Sequence, residues 1–185
     1  MTLMTTSIPE RRRISRAEWD ALPEHKRKTE LLDGELVEMA VPKMIHQDLV
    51  SGLNELLRRA APPGIKVRFA PVAVQISELT IVEPDLVAGP KELFLERGLV
   101  EPPLLVVEVL SPSTRRRDVI RKFRWFEQFG IQHVWFADPD EPSVAAWELI
   151  DGHYVEAGEA VGDQTLVLER PFRLEVNPQR LLETD

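Results

Sequence analysis

Residues 104 to 139 read LLVVEVLSPSTRRRDVIRKFRWFEQFGIQHVWFADP, and this stretch decides the fold. Leu104–Leu110 is an almost unbroken apolar run, which is typical of a strand buried on both faces. The segment from Ser113 to Phe129 predicts a helix closed by Gly130, and Ile131–Ala137 predicts a second strand. Strand, helix and strand in this order predict a right-handed crossover between two parallel strands.

Spacing patterns elsewhere in the chain predict the other elements of an α/β domain. Apolar residues recur every three to four positions from Ile45 to Ala60, which indicates an amphipathic helix. Asp33-Gly34 lies between two β-rich runs and predicts a type I′ hairpin, whose two central residues have positive φ. The remaining predicted elements are a helix over Arg16–Leu22 with Ser15 as its N-cap and strands at Thr29–Leu32, Glu35–Ala40, Ile65–Ala70, Val72–Ile76, Leu86–Ala88, Val144–Ile150 and His153–Glu156. The tail therefore predicts β-hairpin elaborations on the domain.

Length and composition limit the class of protein. With 185 residues, 43% of them apolar, the chain can bury one core. We expect a mobile arm over residues 1 to 14 and a single domain over residues 15 to 185. No apolar run suits a membrane span or a secretory signal, so we expect a cytoplasmic protein. The absence of cysteine excludes disulfides, thiolate zinc sites and cysteine nucleophiles, which leaves hard cations with oxygen ligands as the natural candidates.

The charge distribution allows a nucleic-acid partner despite a formal net charge of −8. Residues 125 to 185 hold 13 of the 31 acids and 3 of the 23 bases, so the first 124 residues are slightly basic. A phosphate-facing patch is predicted at Arg115, Arg116, Arg117, Arg121 and Arg124. A solvated helix face explains the same arginines equally well.

Glu108 and Lys122 are charged residues at positions that the patterns predict to be buried. Glu108 interrupts the apolar strand, where an ionised and unpaired carboxylate costs several kcal/mol or more. Lys122 falls inside the apolar arc of the predicted helix, beside Phe123 and Phe126 at about 100° per residue. Since the helix directly follows the strand, we expect the two side chains to meet.

Asp85 is the third charged residue of interest, in the sequence Glu83-Pro84-Asp85 before a short apolar strand. Adjacent strands would bring Asp85 near Glu108. Two carboxylates held together repel each other unless a positive charge lies between them. A divalent metal and a nearby lysine would supply that charge.

The order of these residues resembles a known family. Pro84-Asp85, Glu108 on a strand and then a lysine are similar to the PD-(D/E)XK nuclease superfamily, although Leu110 stands where the motif has lysine, which makes Lys122 a migrated lysine. The wider pattern resembles the Uma-two family of restriction endonucleases over roughly residues 15 to 155. The segments that carry this resemblance are Glu30 to Glu38, His46-Gln47, Pro84 to Leu86, Val107 to Thr114, Asp118, Lys122 and Gly130 to Pro139. Phe126 replaces the tyrosine that is usual four residues after the lysine.

The resemblance implies a fold and a chemistry. It implies a mixed central sheet flanked by helices, with Asp85 and Glu108 as ligands of Mg²⁺ or Mn²⁺. Lys122 would orient the attacking water or stabilise the transition state, while Glu35 would add a ligand or hold a water. Asp118 and His46 are implied as supporting residues.

Each of these residues also has a structural explanation. Glu108 and Lys122 would form a core ion pair, Asp85 would be a turn or cap residue, and Glu35 would be solvated. His46 would lie at the start of a helix, and Asp118 would pair with a neighbouring arginine. The alternatives remain open at this point.

Two functions follow from the sequence. The first is a metal-dependent endonuclease that hydrolyses phosphodiester bonds in nucleic acid, with DNA expected. The second is a catalytically inactive nuclease-like scaffold that binds a protein or nucleic acid. Cutting both strands of a duplex usually needs two active sites, so we expect a homodimer.

Overall fold

The computed structural model describes residues 13–21, 28–96, 98–111 and 117–183, with only the backbone of Arg117 and Asp118. Its helices are α1 (Arg16–Asp20), α2 (Met44–Ala60), α3 (Arg117–Phe129) and α4 (Pro178–Leu181), with a 3-10 turn at Lys91–Leu93. Its strands are β1 (Thr29–Leu32), β2 (Glu35–Glu38), β3 (Ile65–Phe69), β4 (Val74–Ser77), β5 (Thr80–Val82), β6 (Leu86–Pro90), β7 (Leu105–Val109), β8 (His133–Asp138), β9 (Ser143–Ile150), β10 (His153–Val161), β11 (Leu166–Leu168) and β12 (Leu174–Val176). Across the described ranges, no helix has the length and apolar character needed to cross a membrane.

A six-stranded mixed sheet forms the centre of the molecule. Its strands follow the order β10-β9-β8-β7-β6-β3. β7 and β8 are parallel, with Leu105 aligned with His133, and the other neighbouring strands are antiparallel. α3 connects the parallel pair. The prediction of an α/β fold with a mixed central sheet is confirmed.

A second, four-stranded antiparallel sheet has the order β2-β1-β5-β4. Its β1–β2 hairpin turns at Asp33 and Gly34, which have φ of 53° and 84°, so the predicted turn geometry is confirmed. β5 was not predicted, because three residues are too few for a clear pattern. Pro84 separates β5 from β6 and cannot donate to a strand ladder, which explains why these strands belong to different sheets.

Two of the sequence predictions concern the N-terminal segment. Ser15 caps α1 as predicted, and its side chain forms a capping box with that of Glu18. Most of the predicted arm lies outside the described residues. Ile14, at its end, donates its backbone N–H to Gly34 O at 2.9 Å, so the chain is tied to the hairpin from that residue onward.

The central sheet separates two hydrophobic clusters. Along β7, Leu105 and Val107 pack towards α2, whereas Val106 packs on the opposite face with α3 and the small sheet. Side chains alternate along a strand, so Glu108 shares the face of Val106. The fold therefore turns the carboxyl group of Glu108 towards α3 and β1.

We predict that Gly52→Ala destabilises the protein by about 1–3 kcal/mol. Gly52 is buried in α2, and an added Cβ would lie 2.5 Å from the backbone oxygen of Leu181 in α4. The free energy of unfolding from urea titration measures the effect. Ser51→Ala, on the exposed side of the same helix turn, is the control, and equal stability of both variants would contradict this packing.

Candidate functional site

Asp85 and Glu108 lie opposite each other on neighbouring strands. β6 and β7 are antiparallel with Leu86 opposite Val107, so one further step along the register places Asp85 opposite Glu108. Each of the two residues is only 7% exposed. The structure thus brings together the two acids that the sequence analysis paired.

The carboxylate of Asp85 has protein partners at both oxygens. Lys28 Nζ donates to Oδ1 at 3.1 Å. The backbone N–H of Val109 donates to Oδ2 at 2.8 Å, and His46 Nε2 lies 3.4 Å from the same oxygen. These contacts fix the orientation of the Asp85 side chain, and they bring His46, from the first turn of α2, into the site.

Lys122 connects α3 to both sheets. Its ammonium donates at 2.9 Å to Glu108 Oε1 and at 2.9 Å to Glu30 Oε1. Phe126, one turn later on α3, is fully buried, which shows that this face of the helix points into the core. A buried ammonium shared by two carboxylates is the centre of the site.

Glu30 is an acid that the sequence analysis did not single out as a site residue. It is completely buried on β1, and its Oε1 accepts the backbone N–H of Glu83 at 2.9 Å in addition to the Lys122 contact. Its Oε2 is buried and has no hydrogen-bond partner among the described residues. A carboxylate oxygen in this state is a place where a water or a cation would be stabilising.

The electrostatics of the site differ between its two facing acids. Burial raises the pKa of Glu108 to about 7, with help from Asp85 and against the opposing charge of Lys122. Burial also acts to raise the pKa of Asp85, but contacts with His46, Lys28 and the Val109 N–H outweigh it and hold that pKa well below its usual range. Asp85 is therefore ionised at neutral pH, whereas Glu108 lacks enough nearby positive charge to be fully ionised.

The two lysines remain charged in spite of their burial. Burial acts to lower the pKa of Lys122, but the carboxylates of Glu108 and Glu30 outweigh it and raise that pKa above its usual range. The pKa of Lys28 is raised in the same way, chiefly by Asp85 and then Glu108. Each lysine thus contributes one full positive charge at neutral pH.

The site opens into a cavity of about 920 Å³. The charged part of its lining contains Lys28, Asp85, Glu108 and Lys122, and His46 lies beside them. The apolar part includes Met39, Val41, Val50 and Phe69, and the Phe69 side chain is 59% exposed. A molecule with a charged group and an apolar portion can therefore reach the two carboxylates from solvent.

The donor set of the site fits a hard divalent cation. Among the described residues, no group of three or more His, Cys, Asp or Glu is arranged as a metal site. Two facing carboxylates are still a suitable set for Mg²⁺ or Mn²⁺, because Mg²⁺ binds through one or two carboxylates and keeps its other positions for water and phosphate oxygens. The raised pKa of Glu108 and the unpartnered Glu30 oxygen both indicate that the site is short of positive charge.

The structure corrects the placement of Glu35. This residue lies exposed on the edge strand β2, opposite Leu32, and does not line the cavity. The buried acid of the same hairpin is Glu30. The sequence pattern alone did not show which of the two acids faces α3, because both lie in the segment that carries the family resemblance.

The predicted arginine patch does not lie in the cavity where it is described. Arg121 pairs with Asp33 at 3.0 Å and stacks over Trp125, and Arg124 is exposed on α3. The side chains of Arg117 and Asp118 are not described. Arg115 and Arg116 lie outside the described residues, so a phosphate-binding role for this group stays a prediction.

Lys28 is the second site residue that the sequence analysis missed. A signal for it was available, because Lys28 directly precedes β1 and is in alternation with positions 30 and 32, and Leu32 belongs to the core. Two charged residues in alternation with a core leucine indicate that both side chains face the interior. The weak point of this signal is the shortness of the strand, which has four residues.

Comparisons with known proteins concern the family and the fold of the chain. The model of the Uma2 family, described as "Putative restriction endonuclease", matches residues 16–181. Among solved structures, a similar chain is described as "a putative nuclease belonging to DUF820" from Anabaena variabilis. It is 18% identical, covers 92% of this chain and 98% of its own, and has a TM-score of 0.75, which shows a shared fold. No curated protein matches the chain.

We predict that Lys122→Met destabilises the metal-free protein by about 3–5 kcal/mol at neutral to alkaline pH, because two buried carboxylates lose their shared ammonium. The deficit should shrink as the pH falls. Burial raises the pKa of Glu108 in the parent protein and the Lys122 charge opposes that rise, so the pKa of Glu108 is higher still in the variant. The folded variant therefore binds a proton more tightly than the folded parent does, and acid reduces the difference in stability.

This prediction is tested by urea titration in the presence of a chelator, which gives the free energy of unfolding of the variant and the parent protein at two pH values. Arg121→Met is the control on the preceding residue of α3, where loss of the exposed pair with Asp33 should cost about 1 kcal/mol or less. Equal stability of Lys122→Met and the parent protein would show that the ammonium does not stabilise the two acids.

Proposed function

Because the chain belongs to the Uma2 family, whose model spans residues 16–181, we propose that it is a metal-dependent endonuclease that hydrolyses phosphodiester bonds in DNA. One observation supports this proposal above the others. Asp85 and Glu108 face each other at the edge of an accessible cavity, and Lys122 contacts Glu108 from the adjacent helix.

Asp85 and Glu108 are the residues that would hold Mg²⁺ or Mn²⁺. Such an ion, when bound, supplies a Lewis acid that neutralises charge on the attacked phosphate and lowers the pKa of water. The pKa of Asp85 lies well below its usual range, so this side chain is an anionic ligand throughout the neutral range. The backbone N–H of Val109 keeps that carboxylate directed towards Glu108.

Lys122 would act on the reacting groups directly. An ammonium has three N–H donors, and the described contacts of Lys122 use two of them, to Glu30 and Glu108. The third N–H can orient the attacking water or donate to a phosphate oxygen that gains charge in the transition state. Glu30 would position this ammonium, and His46 would position Asp85.

A second function is favoured by one feature of the same site. Both oxygens of Asp85 and one oxygen of Glu108 already have protein partners, so the cluster is stabilised without a metal. This arrangement also suits an inactive nuclease-like scaffold that binds a protein or nucleic acid. Calorimetric titration with Mn²⁺ separates the two functions, because the scaffold does not need to bind the ion.

The proposed activity also leads to proposals for the oligomeric state of the protein and for its nucleic-acid substrate. Cleavage of both strands of a duplex usually needs two active sites, so a homodimer stays our prediction. DNA is the proposed substrate on the basis of the family description. A plasmid assay shows whether the protein cuts one strand of DNA or both, and a lone monomer in size-exclusion chromatography with light scattering would contradict the homodimer.

We predict that Asp85→Asn and Glu108→Gln each lower the rate of plasmid nicking in Mg²⁺ or Mn²⁺ by roughly a hundredfold or more. Each change keeps the shape of the side chain but removes a charge that would bind the ion. Glu55→Gln, at an exposed position on α2, is the control and should leave the rate unchanged. Folding of each variant is checked by its thermal unfolding transition.

The result that contradicts this prediction is equal nicking by the parent protein and both folded variants. In that case the nicking comes from another site or from a contaminant. If the folded parent protein cuts neither DNA nor RNA with any divalent ion and also binds no Mn²⁺, the scaffold function takes its place.

We further predict that Glu30→Gln lowers the nicking rate roughly 10- to 100-fold, whereas Glu35→Gln leaves it within about twofold of the parent. Glu30 contacts Lys122, while Glu35 lies outside the cavity. A larger loss in Glu35→Gln than in Glu30→Gln would show that the sequence resemblance identified the early acid better than the structure does.

A further inference from the structure

Lys28 contacts the same carboxylate that the proposed function assigns to a metal ion. Its Nζ donates to Asp85 Oδ1 at 3.1 Å, at the charged end of the cavity. The other Asp85 oxygen is occupied by the Val109 N–H. The Lys28 ammonium therefore lies on the oxygen that is otherwise the more available of the two for a cation.

The two lysines of the site differ in how firmly they are held. Lys122 has two carboxylate partners at 2.9 Å, and its side chain is 6% exposed. Lys28 has one carboxylate partner at 3.1 Å, and its side chain is 24% exposed. A lysine stem is long and flexible, so the ammonium of Lys28 can move within the cavity while that of Lys122 remains in place.

The charge balance of the site makes Lys28 a competitor of a cation. Glu30, Asp85 and Glu108 supply three negative charges when ionised, and Lys28 and Lys122 supply two positive charges. A divalent ion at Asp85 and Glu108 would lie next to the Lys28 ammonium and be repelled by it. Binding of the ion is therefore favoured when Lys28 leaves Asp85.

We propose that Lys28 is an exchangeable counter-ion: it neutralises Asp85 when no divalent ion is bound, and it moves to a phosphate oxygen of the substrate when the ion takes its place. This inference rests on the proposed function. The movement carries a positive charge from a carboxylate to a phosphate within one cavity, so the site avoids an uncompensated anion in either state. Lys28 would then bind the substrate directly, as a second lysine beside Lys122.

Isothermal titration of Mn²⁺ into Lys28→Met and the parent protein tests the first half of this proposal. Removal of the competing charge should tighten Mn²⁺ binding roughly tenfold or more. Lys28→Arg keeps the charge and should bind Mn²⁺ within about threefold of the parent protein. Lys43→Met is the matched control, because Lys43 is an exposed lysine of the same cavity whose nearest carboxylate partner, Asp140, lies 3.7 Å away.

Plasmid nicking at saturating Mn²⁺ tests the second half. Lys28→Met should nick roughly tenfold more slowly than the parent protein although it binds the ion more tightly. Lys43→Met should not combine a slower nicking rate with a higher affinity for Mn²⁺. If Lys28 had a purely structural role, its replacement by Met would not raise the affinity of the protein for Mn²⁺. Thermal unfolding in chelator identifies any loss of folded protein before the affinities are compared.

Each outcome has a separate meaning. Equal or weaker Mn²⁺ binding by folded Lys28→Met overturns the counter-ion role. Tighter binding with an unimpaired nicking rate overturns the transfer of Lys28 to phosphate. If the parent protein binds no Mn²⁺ at all, the metal-dependent function itself fails, and that result is seen in the parent titration before any variant is compared.

Discussion

The buried ammonium of Lys122 is the interaction on which the site depends. It joins α3 to Glu108 on the central sheet and to Glu30 on the small sheet, each at 2.9 Å. Ion pairs in a protein interior are poor stabilisers, because desolvation costs nearly as much as the attraction returns. A role in the chemistry of the site therefore explains the buried ammonium between two acids better than a gain in stability does.

The other charges of the site make its two facing acids unequal in pKa. Asp85 is held ionised by donors on three sides, whereas burial raises the pKa of the facing Glu108 to about 7. An additional cation between the two would remove this asymmetry. The same shortage of positive charge explains why Lys28 lies against Asp85.

Sequence patterns predicted most of the fold and the centre of the site. The apolar strand with Glu108, the helix with Lys122 and the turn at Asp33-Gly34 carry strong periodic or turn signals, so the mixed sheet followed from them. The small sheet and Glu30 depend on contacts between segments about 50 or more residues apart, as the bond from Glu83 N–H to Glu30 shows. Lys28 precedes a strand of four residues, too short for its alternation to be recognised. The arginine patch stays a prediction, because Arg121 pairs with Asp33 and stacks over Trp125, while Arg115 and Arg116 lie outside the described residues.

The most direct measurement is a crystal structure of the protein soaked in Mn²⁺ and read by anomalous scattering. The account predicts an anomalous peak within about 2.5 Å of carboxylate oxygens of both Asp85 and Glu108, with the Lys28 ammonium moved off Asp85. A structure at saturating Mn²⁺ that shows no peak there, and in which Lys28 and Lys122 keep the same carboxylate contacts, would contradict it.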